Sequence, residues 1–279
     1  MSMASKAPAL VPGSKCAVST LDSSHLPHLA GYPLVRGLCR LSAPLIRKRV
    51  LYVEGIERLA EEHDPFILVA NHNHRLEAVF LPAVTVMFRQ GKMVHFMADW
   101  PMMLIPGVGS FYRDGHLIPV FSKNARPPML NRVKNRLQKR YPFTPWERAS
   151  ELLQQGKSVG IYPEGTMNRD PDRLLRGRTS AARLALTHDV PVVPVGIRFP
   201  QVQGRKIQDD DVMTFHVGTA LRPSESEAQT QPECLDHPVE GAACGPSQEA
   251  VERFHARMMS TISELCGKTW SPDNPLRRS

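Results

Sequence analysis

The stretch Asn71-His72-Asn73-His74-Arg75-Leu76-Glu77 follows a short apolar run, Phe66-Ile67-Leu68-Val69-Ala70. Three chemistries suit it. Glu77 could hold the His72 imidazole in one tautomer, leaving the other ring nitrogen to accept a proton. His72, His74 and Glu77 could bind a metal ion. His72 and Asn73 could simply cap the helix that follows. On one continuous helix the five steps from His72 to Glu77 rotate by about 500°, leaving the side chains about 140° apart. A catalytic pair therefore requires His72 in the turn after a strand and Glu77 in the first turns of the next helix.

Three further segments bear chemistry. Tyr162-Pro163-Glu164-Gly165-Thr166 ends another apolar run, and a glutamate on such a turn can face the crevice where open α/β sheets bind ligands. Arg176-Gly177-Arg178-Thr179 opens a helical pattern and suits either phosphate binding or a solvated helix start. Residues 123–148 hold eight Lys/Arg against one acid, Glu147, which reads as a solvated helix face or a phosphate-docking surface.

The elements that must position these residues alternate. Strands are expected at 50–53, 66–70, 93–97, 117–121, 158–162, 192–197 and 212–217. Helices are expected at 75–90, 146–155, 179–188 and 248–266. A loop is expected at 101–109. This order predicts an α/β fold with a mixed, largely parallel central sheet flanked by helices. Residues 34–50 carry five basic and no acidic residues around Leu34, Val35, Leu38, Leu41, Leu45 and Ile46. They form an N-terminal amphipathic helical segment, suited to an anionic membrane surface or to the core. Residues 1–28 read as a disordered tail, residues 29–279 as a single domain, and 223–247 within it as a flexible loop.

Composition narrows the partners. The 279 residues are 42% hydrophobic and 22% charged, as in globular proteins, with a net charge of +8. A basic balance favours anionic partners. With only 6% aromatics and no nucleic-acid motif, nucleic acid is not expected. Cys16, Cys39, Cys234, Cys244 and Cys266 are odd in number and form no CxxC, arguing for a reducing compartment and against a structural zinc. Neither a signal peptide nor a spanning helix is expected.

In order along the chain, these segments resemble the glycerophosphate acyltransferase family, which contains the bacterial 1-acylglycerol-3-phosphate acyltransferases. The family's NHxxxxD motif corresponds to Asn71–Glu77, its FPEGTR motif to Tyr162–Met167, and its VPVVPV strand to Val190–Val195. The resemblance runs from about residue 34 to 220. It implies an acyltransferase in which His72 is the general base, with Glu77 as its partner. Glu164, Gly165, Thr166, Lys123 and Arg178 would bind the acceptor. The acyl donor would be acyl-CoA or an acyl-carrier protein, with no cofactor and no resident metal. The acceptor would be a hydroxyl or amine of a lipid-like or small molecule. The place of work would be cytoplasmic, peripheral at the inner face of an anionic membrane. Three positions depart from the family pattern. Glu77 replaces aspartate, Pro119-Val120 continues as Phe121-Ser122-Lys123 rather than as a PVDR run, and Met167 replaces the arginine after PEGT. The two altered arginine positions are the family's contacts for the acceptor phosphate, which implies a less charged acceptor. The alternative reading is a membrane-associated binding protein on this fold that has lost catalysis.

Overall fold

Leu68 and Ala70 point to one side of a central strand and Ile67 and Val69 to the other, and all four are fully buried. A strand buried on both faces needs a helical layer on each side. A computed structural model of the chain describes residues 13–105, 107–122, 128–223 and 245–276, and those layers are present. The strands are β1 Lys15–Ala17, β2 Val50–Glu54, β3 Ile67–Ala70, β4 His95–Asp99, β5 Leu117–Val120, β6 Val159–Ile161, β7 Val192–Arg198 and β8 Met213–Val217. The helices are α1 Pro33–Arg49, α2 Glu77–Phe88, α3 Val108–Arg113, α4 Asn131–Gln138, α5 Pro145–Gln154, α6 Ser180–His188 and α7 Gln248–Cys266. The strands join in one sheet of order β1-β2-β8-β7-β3-β6-β4-β5. Only β1 with β2 and β7 with β8 pair antiparallel. The sheet is thus mixed and largely parallel, as the alternating pattern implied. Ala43 and Ile46 of α1 and Phe80, Leu81 and Val84 of α2 cover one face. Leu152 of α5, Leu184 of α6 and Phe254 and Met258 of α7 cover the other.

Three expectations need correction. Residues 13–28 are not a disordered tail: Cys16 of β1 pairs with Val53, and Val18, Leu26 and Leu29 are buried, so apolar residues thinly spread among Ser and Pro still reach the core. Residues 1–12 lie outside the described residues. The loop expected at 101–109 contains a 3-10 turn, Trp100–Leu104, and the start of α3, with Trp100 and Tyr112 as buried anchors. The apolar side of α1 is not a single face. Val35, Cys39, Ala43 and Ile46 pack inward, whereas Leu34, Leu41 and Leu45 are exposed, Leu41 to 79%. In the basic 123–148 segment, α5 begins at Pro145 and carries a capping box: Thr144 Oγ1 accepts the Glu147 N–H at 3.1 Å, and Glu147 returns the bond to the Thr144 N–H at 2.6 Å. Lys123 lies outside the described residues, as does 224–244 of the expected loop. The described end of that loop leads to Ser247, whose Oγ caps α7 by accepting the Ala250 N–H at 3.2 Å.

One buried ion pair braces the end of the sheet opposite residues 71–77. Arg89, just past α2, donates to both oxygens of Asp64 at 2.9 and 2.7 Å and to the Leu59 carbonyl at 2.6 Å. Ser158 donates to Asp64 and accepts the Phe66 N–H at 3.0 Å. The brace therefore ties the end of α2 to the starts of β3 and β6. Burial pushes the Asp64 carboxyl upward, but Ser158, Lys92 and Arg89 outweigh it and hold it below its ordinary range. A lowered carboxyl stabilises the fold above its unfolded value, about 3.9, and that stabilisation fades as pH falls through the folded value. Asp64→Asn is expected to cost about 3 kcal/mol at neutral pH, because it leaves Arg89 buried without a counter-charge. The gap to wild type should narrow below about pH 4. Urea midpoints at pH 7 and pH 3 measure both.

Candidate active site

β3 and β6 are parallel neighbours, with Val69 beside Ile161. Their carboxyl ends therefore lie side by side, and the segments that follow them meet although 92 residues separate His72 from Glu164. Asn71 decides how the chain leaves β3. Its side chain imitates a backbone pairing with β7: Oδ1 accepts the Ile197 N–H at 2.7 Å and Nδ2 donates to the Ile197 carbonyl at 3.1 Å. The ladder ends there, and His72 lies at the carboxyl end of this central strand.

His72 Nδ1 is 2.7 Å from Glu77 Oε1. Glu77 is the first residue of α2 and its side chain is fully buried, whereas the His72 side chain keeps 16% of its surface exposed. The Asn73 N–H also donates to Glu77 Oε1, and Asn73 Nδ2 donates to Oε2 at 3.0 Å. Its carboxylate thus lies in the first turn of α2, where the helix dipole favours an anion. Because Glu77 accepts from Nδ1–H, Nε2 is left unprotonated as an acceptor. The His72 ring stacks on Tyr162 with centroids 4.7 Å apart. Neither His72 nor Asn73 caps the helix. Leu76 is the N-cap residue and makes no side-chain cap bond.

Glu164 is 2% exposed and engaged on both oxygens. Oε1 accepts the His72 N–H at 3.0 Å, and Oε2 accepts the Leu175 N–H and Asn168 Nδ2, each at 2.9 Å. Burial pushes this carboxyl up, against the pull of those donors and of Lys268. Expected as an acceptor-binding residue, Glu164 instead lies behind His72 and braces its backbone. Gly165 is exposed with φ +62°, a left-handed turn that favours glycine, and a Cβ there would come within 3.0 Å of Arg178 Nε. The Arg178 N–H donates to the Pro163 carbonyl at 2.8 Å, so this exposed arginine overlies the Glu164–Thr166 turn. Thr166 is half-buried on the same turn and Met167 is exposed. Arg169 is already committed, to the Ile207 carbonyl at 2.9 Å and to Asp209 at 2.6 Å.

His74 is turned away from this centre as a possible ligand. Its Nδ1 accepts the Leu76 N–H at 3.1 Å, and its ring packs edge-on against Phe199. Among the described residues, no group of three or more His, Cys, Asp or Glu side chains is placed to hold a metal ion. The sequence alone gave no role to Asn168 or Lys268, placed Asn71 and Tyr162 only as members of their motifs, and read Asn73 only as a possible helix cap. The asparagines carried a signal, since polar residues between two buried elements must find partners. Lys268 carried none.

A family model described as Acyltransferase matches residues 50–198, more than half of the chain. The chain belongs to the acyltransferase family. It is 23% identical over 160 residues to the 1-acyl-sn-glycerol-3-phosphate acyltransferase of Bacillus subtilis, a match covering 57% of this chain and 68% of that one. The chloroplastic LPAT1 1-acyl-sn-glycerol-3-phosphate acyltransferase of Arabidopsis thaliana is 27% identical over 143 residues, 51% of this chain but only 34% of the plant protein. A lyso-ornithine lipid O-acyltransferase of Pseudomonas aeruginosa is 35% identical over a shorter 91 residues, 30% of this chain and 34% of that one. Among solved structures, the 1-acyl-sn-glycerophosphate (LPA) acyltransferase PlsC of Thermotoga maritima aligns with a TM-score of 0.48 at 18% identity, covering 89% of this chain and 96% of that one.

The geometry bears on the substitution of glutamate for the aspartate of the family motif. Shortening Glu77 would withdraw the carboxylate by about one C–C bond, roughly 1.5 Å. His72 Nδ1 and the two Asn73 donors would then lose their acceptor. Glu77→Asp is expected to destabilise the protein by about 1–3 kcal/mol. It should also shift the His72 Nδ1–H proton resonance upfield. Chemical denaturation and NMR on the same sample check both.

Proposed function

We propose that the protein moves an acyl group from acyl-CoA or an acyl-carrier protein to a hydroxyl or amine of a lipid-like acceptor, with His72 as general base. The observation that carries this reading is the His72 Nδ1 contact to a buried Glu77 at 2.7 Å, which leaves Nε2 as the proton acceptor. Nε2 takes the proton of the acceptor as its oxygen or nitrogen attacks the thioester carbonyl. The imidazolium is stabilised by Glu77. Collapse of the tetrahedral intermediate expels the thiol sulfur, which recovers the proton from Nε2. Glu164 contributes by holding the His72 N–H, and Tyr162 by supporting the ring. Positioning and base catalysis together supply the rate.

A dyad whose ring is held on the Nδ1 side by a buried carboxylate favours catalysis over the binding-only reading, because a binding module has no need of an oriented imidazole. The acceptor is a lysolipid whose headgroup need not be a phosphate. Met167 offers no charge on the acceptor-side turn, and Arg169 is paired with Asp209. Arg178 is the exposed guanidinium over that turn. Lysophosphatidate, the acceptor class of the glycerophosphate enzymes, and an amino-acid lysolipid such as lyso-ornithine lipid are the two to compare. The membrane surface is the natural place to meet either one. Leu34, Leu41 and Leu45 are exposed on α1, whose last turn carries Arg47, Lys48 and Arg49. Among the described residues no helix is long and apolar enough to cross a membrane.

His72→Ala is expected to lower kcat by about 10²–10⁴-fold in an assay of thiol release from acyl-CoA, with the acylated lysolipid identified by mass spectrometry. Undiminished turnover would remove His72 as the base, whereas a wild-type protein without turnover would leave the binding-only reading. If lysophosphatidate is acylated much more efficiently than the amino-acid lysolipid, the acceptor assignment fails while the acyl-transfer chemistry stands.

A further inference from the structure

We propose that Lys268 is the positioning residue of the acyl-transfer centre, orienting Asn73 and setting the charge around the His72–Glu77 pair. This inference rests on the acyl-transfer reading above. Lys268 lies far from every motif, two residues past the end of α7. Two glycines bring it to the centre. A Cβ at Gly196 would overlap the Leu265 carbonyl carbon and the Cys266 nitrogen, so the bare backbone of β7 lets the end of α7 lie against it. Gly267, with φ +74°, then turns the chain back toward residues 71–77. Thr269 anchors the return, donating its N–H to the Asp172 carbonyl at 2.7 Å and accepting the Leu174 N–H at 2.9 Å.

The ammonium of Lys268 is buried, the residue being 5% exposed. It donates to Asn73 Oδ1 and, at 2.6 Å, to the Asp170 carbonyl. An amide has one acceptor end and one donor end. With Oδ1 turned to Lys268, Nδ2 must face Glu77 Oε2, where it donates at 3.0 Å. The reversed amide would put a carbonyl oxygen against the carboxylate and NH₂ against the ammonium. Asn71 Nδ2 approaches the same Oδ1 only at 3.4 Å, too long to set the orientation alone. The order of dependence runs from Lys268 through Asn73 and Glu77 to His72.

The charges support the same role. Glu77 and Glu164 are two buried carboxylates against one buried ammonium. Without that amine, two buried carboxyl groups beside the base would lack a buried cationic partner. Asp170 adds a further acid beside the amine, and Asp209 and Arg169 lie beyond His74. Burial holds the Tyr162 phenol neutral, pushes the Cys266 thiol up to about 11 and favours neutral His74. Asp170 lies beside the ammonium and attracts it. Burial disfavours the charged amine, and Glu164, Glu77 and Asp170 oppose that effect. Such an ammonium on the asparagine that holds Glu77 is more than a latch for residues 266–270, because a latch would change stability without changing the base.

Two variants separate the hydrogen bond from the charge. Lys268→Met removes both, whereas Lys268→Gln keeps an N–H donor for Asn73 without the charge. With acyl-CoA and a lysolipid acceptor, Lys268→Met is expected to lose about 10²-fold in kcat, KM for both substrates changing little. Lys268→Gln should retain most of the rate. In both, the acidic limb of the pH–rate profile should move up by about one unit, because the centre loses a positive charge beside the base. The His72 Nδ1–H proton resonance, which needs no turnover, should shift in Lys268→Met. Urea denaturation identifies any variant that does not fold, and Lys268→Gln then decides. A folded variant with wild-type kcat, pH profile and resonance overturns the proposal. So does a loss of kcat with an unmoved acidic limb and an unmoved resonance, which is the signature of a structural latch. His72→Ala distinguishes the two failures. If it keeps full turnover, the base assignment falls and this proposal with it. If it is inactive while the Lys268 variants behave as wild type, only the role of Lys268 falls.

Discussion

A buried carboxylate is costly unless its lone pairs are filled, and Glu77 is a fully buried one. Its demand for donors explains the conformation of residues 71–77 better than any local preference. The Asn73 N–H, Asn73 Nδ2 and His72 Nδ1 all converge on it. Three donors can do so only if the chain makes a tight polar turn between the end of β3 and the start of α2. The extra methylene of glutamate therefore looks like a fitted part of this turn and not like decay of a motif. The carboxylate reaches all three donors from the first position of the helix.

The second carboxylate is brought there by the sheet. Parallel pairing of β3 with β6 aligns their carboxyl ends, so the turn after each strand meets the other across that end of the sheet. Glu164 arrives buried, with both oxygens already accepting protein hydrogen bonds. It holds the backbone of His72 while Glu77 holds the ring. One histidine is thus fixed at two points by two acids, and the repulsion between those acids is relieved by Lys268 from the C-terminal end of the chain. Rigid placement of this kind is what the proposed direct acyl transfer would need, since in that mechanism no covalent enzyme intermediate shares the barrier.

The rest of the molecule keeps this end of the sheet in place. The Asp64–Arg89–Ser158 brace secures the opposite ends of the same two strands, so the turn that carries His72 sits on elements fixed at both ends. The exposed leucines and basic last turn of α1 lie outside that frame and suit contact with a lipid surface, where an acyl donor and a lysolipid would both be found.

Much of this was legible in the sequence. The alternating apolar runs marked seven of the eight strands and the helices that layer them, because a buried strand and an amphipathic helix leave different periods. The spacing of His72 and Glu77 dictated that they could meet only across a strand-to-helix turn, and the PEGT turn marked a second strand end. β1 was not legible, because three residues in a Ser- and Pro-rich stretch carry no period of their own and become a strand only by pairing with β2. Nor was the inward role of Glu164, since residue type says nothing of which way a carboxylate points. Lys268 was the least visible of all. It stands 195 residues from Asn73, and nothing in the local sequence distinguishes it from a solvated lysine. Local pattern and covalent geometry determined the elements and the way His72 and Glu77 could meet. Long-range burial, which forces each desolvated charge to find a partner wherever the fold supplies one, decided what holds that pair in place.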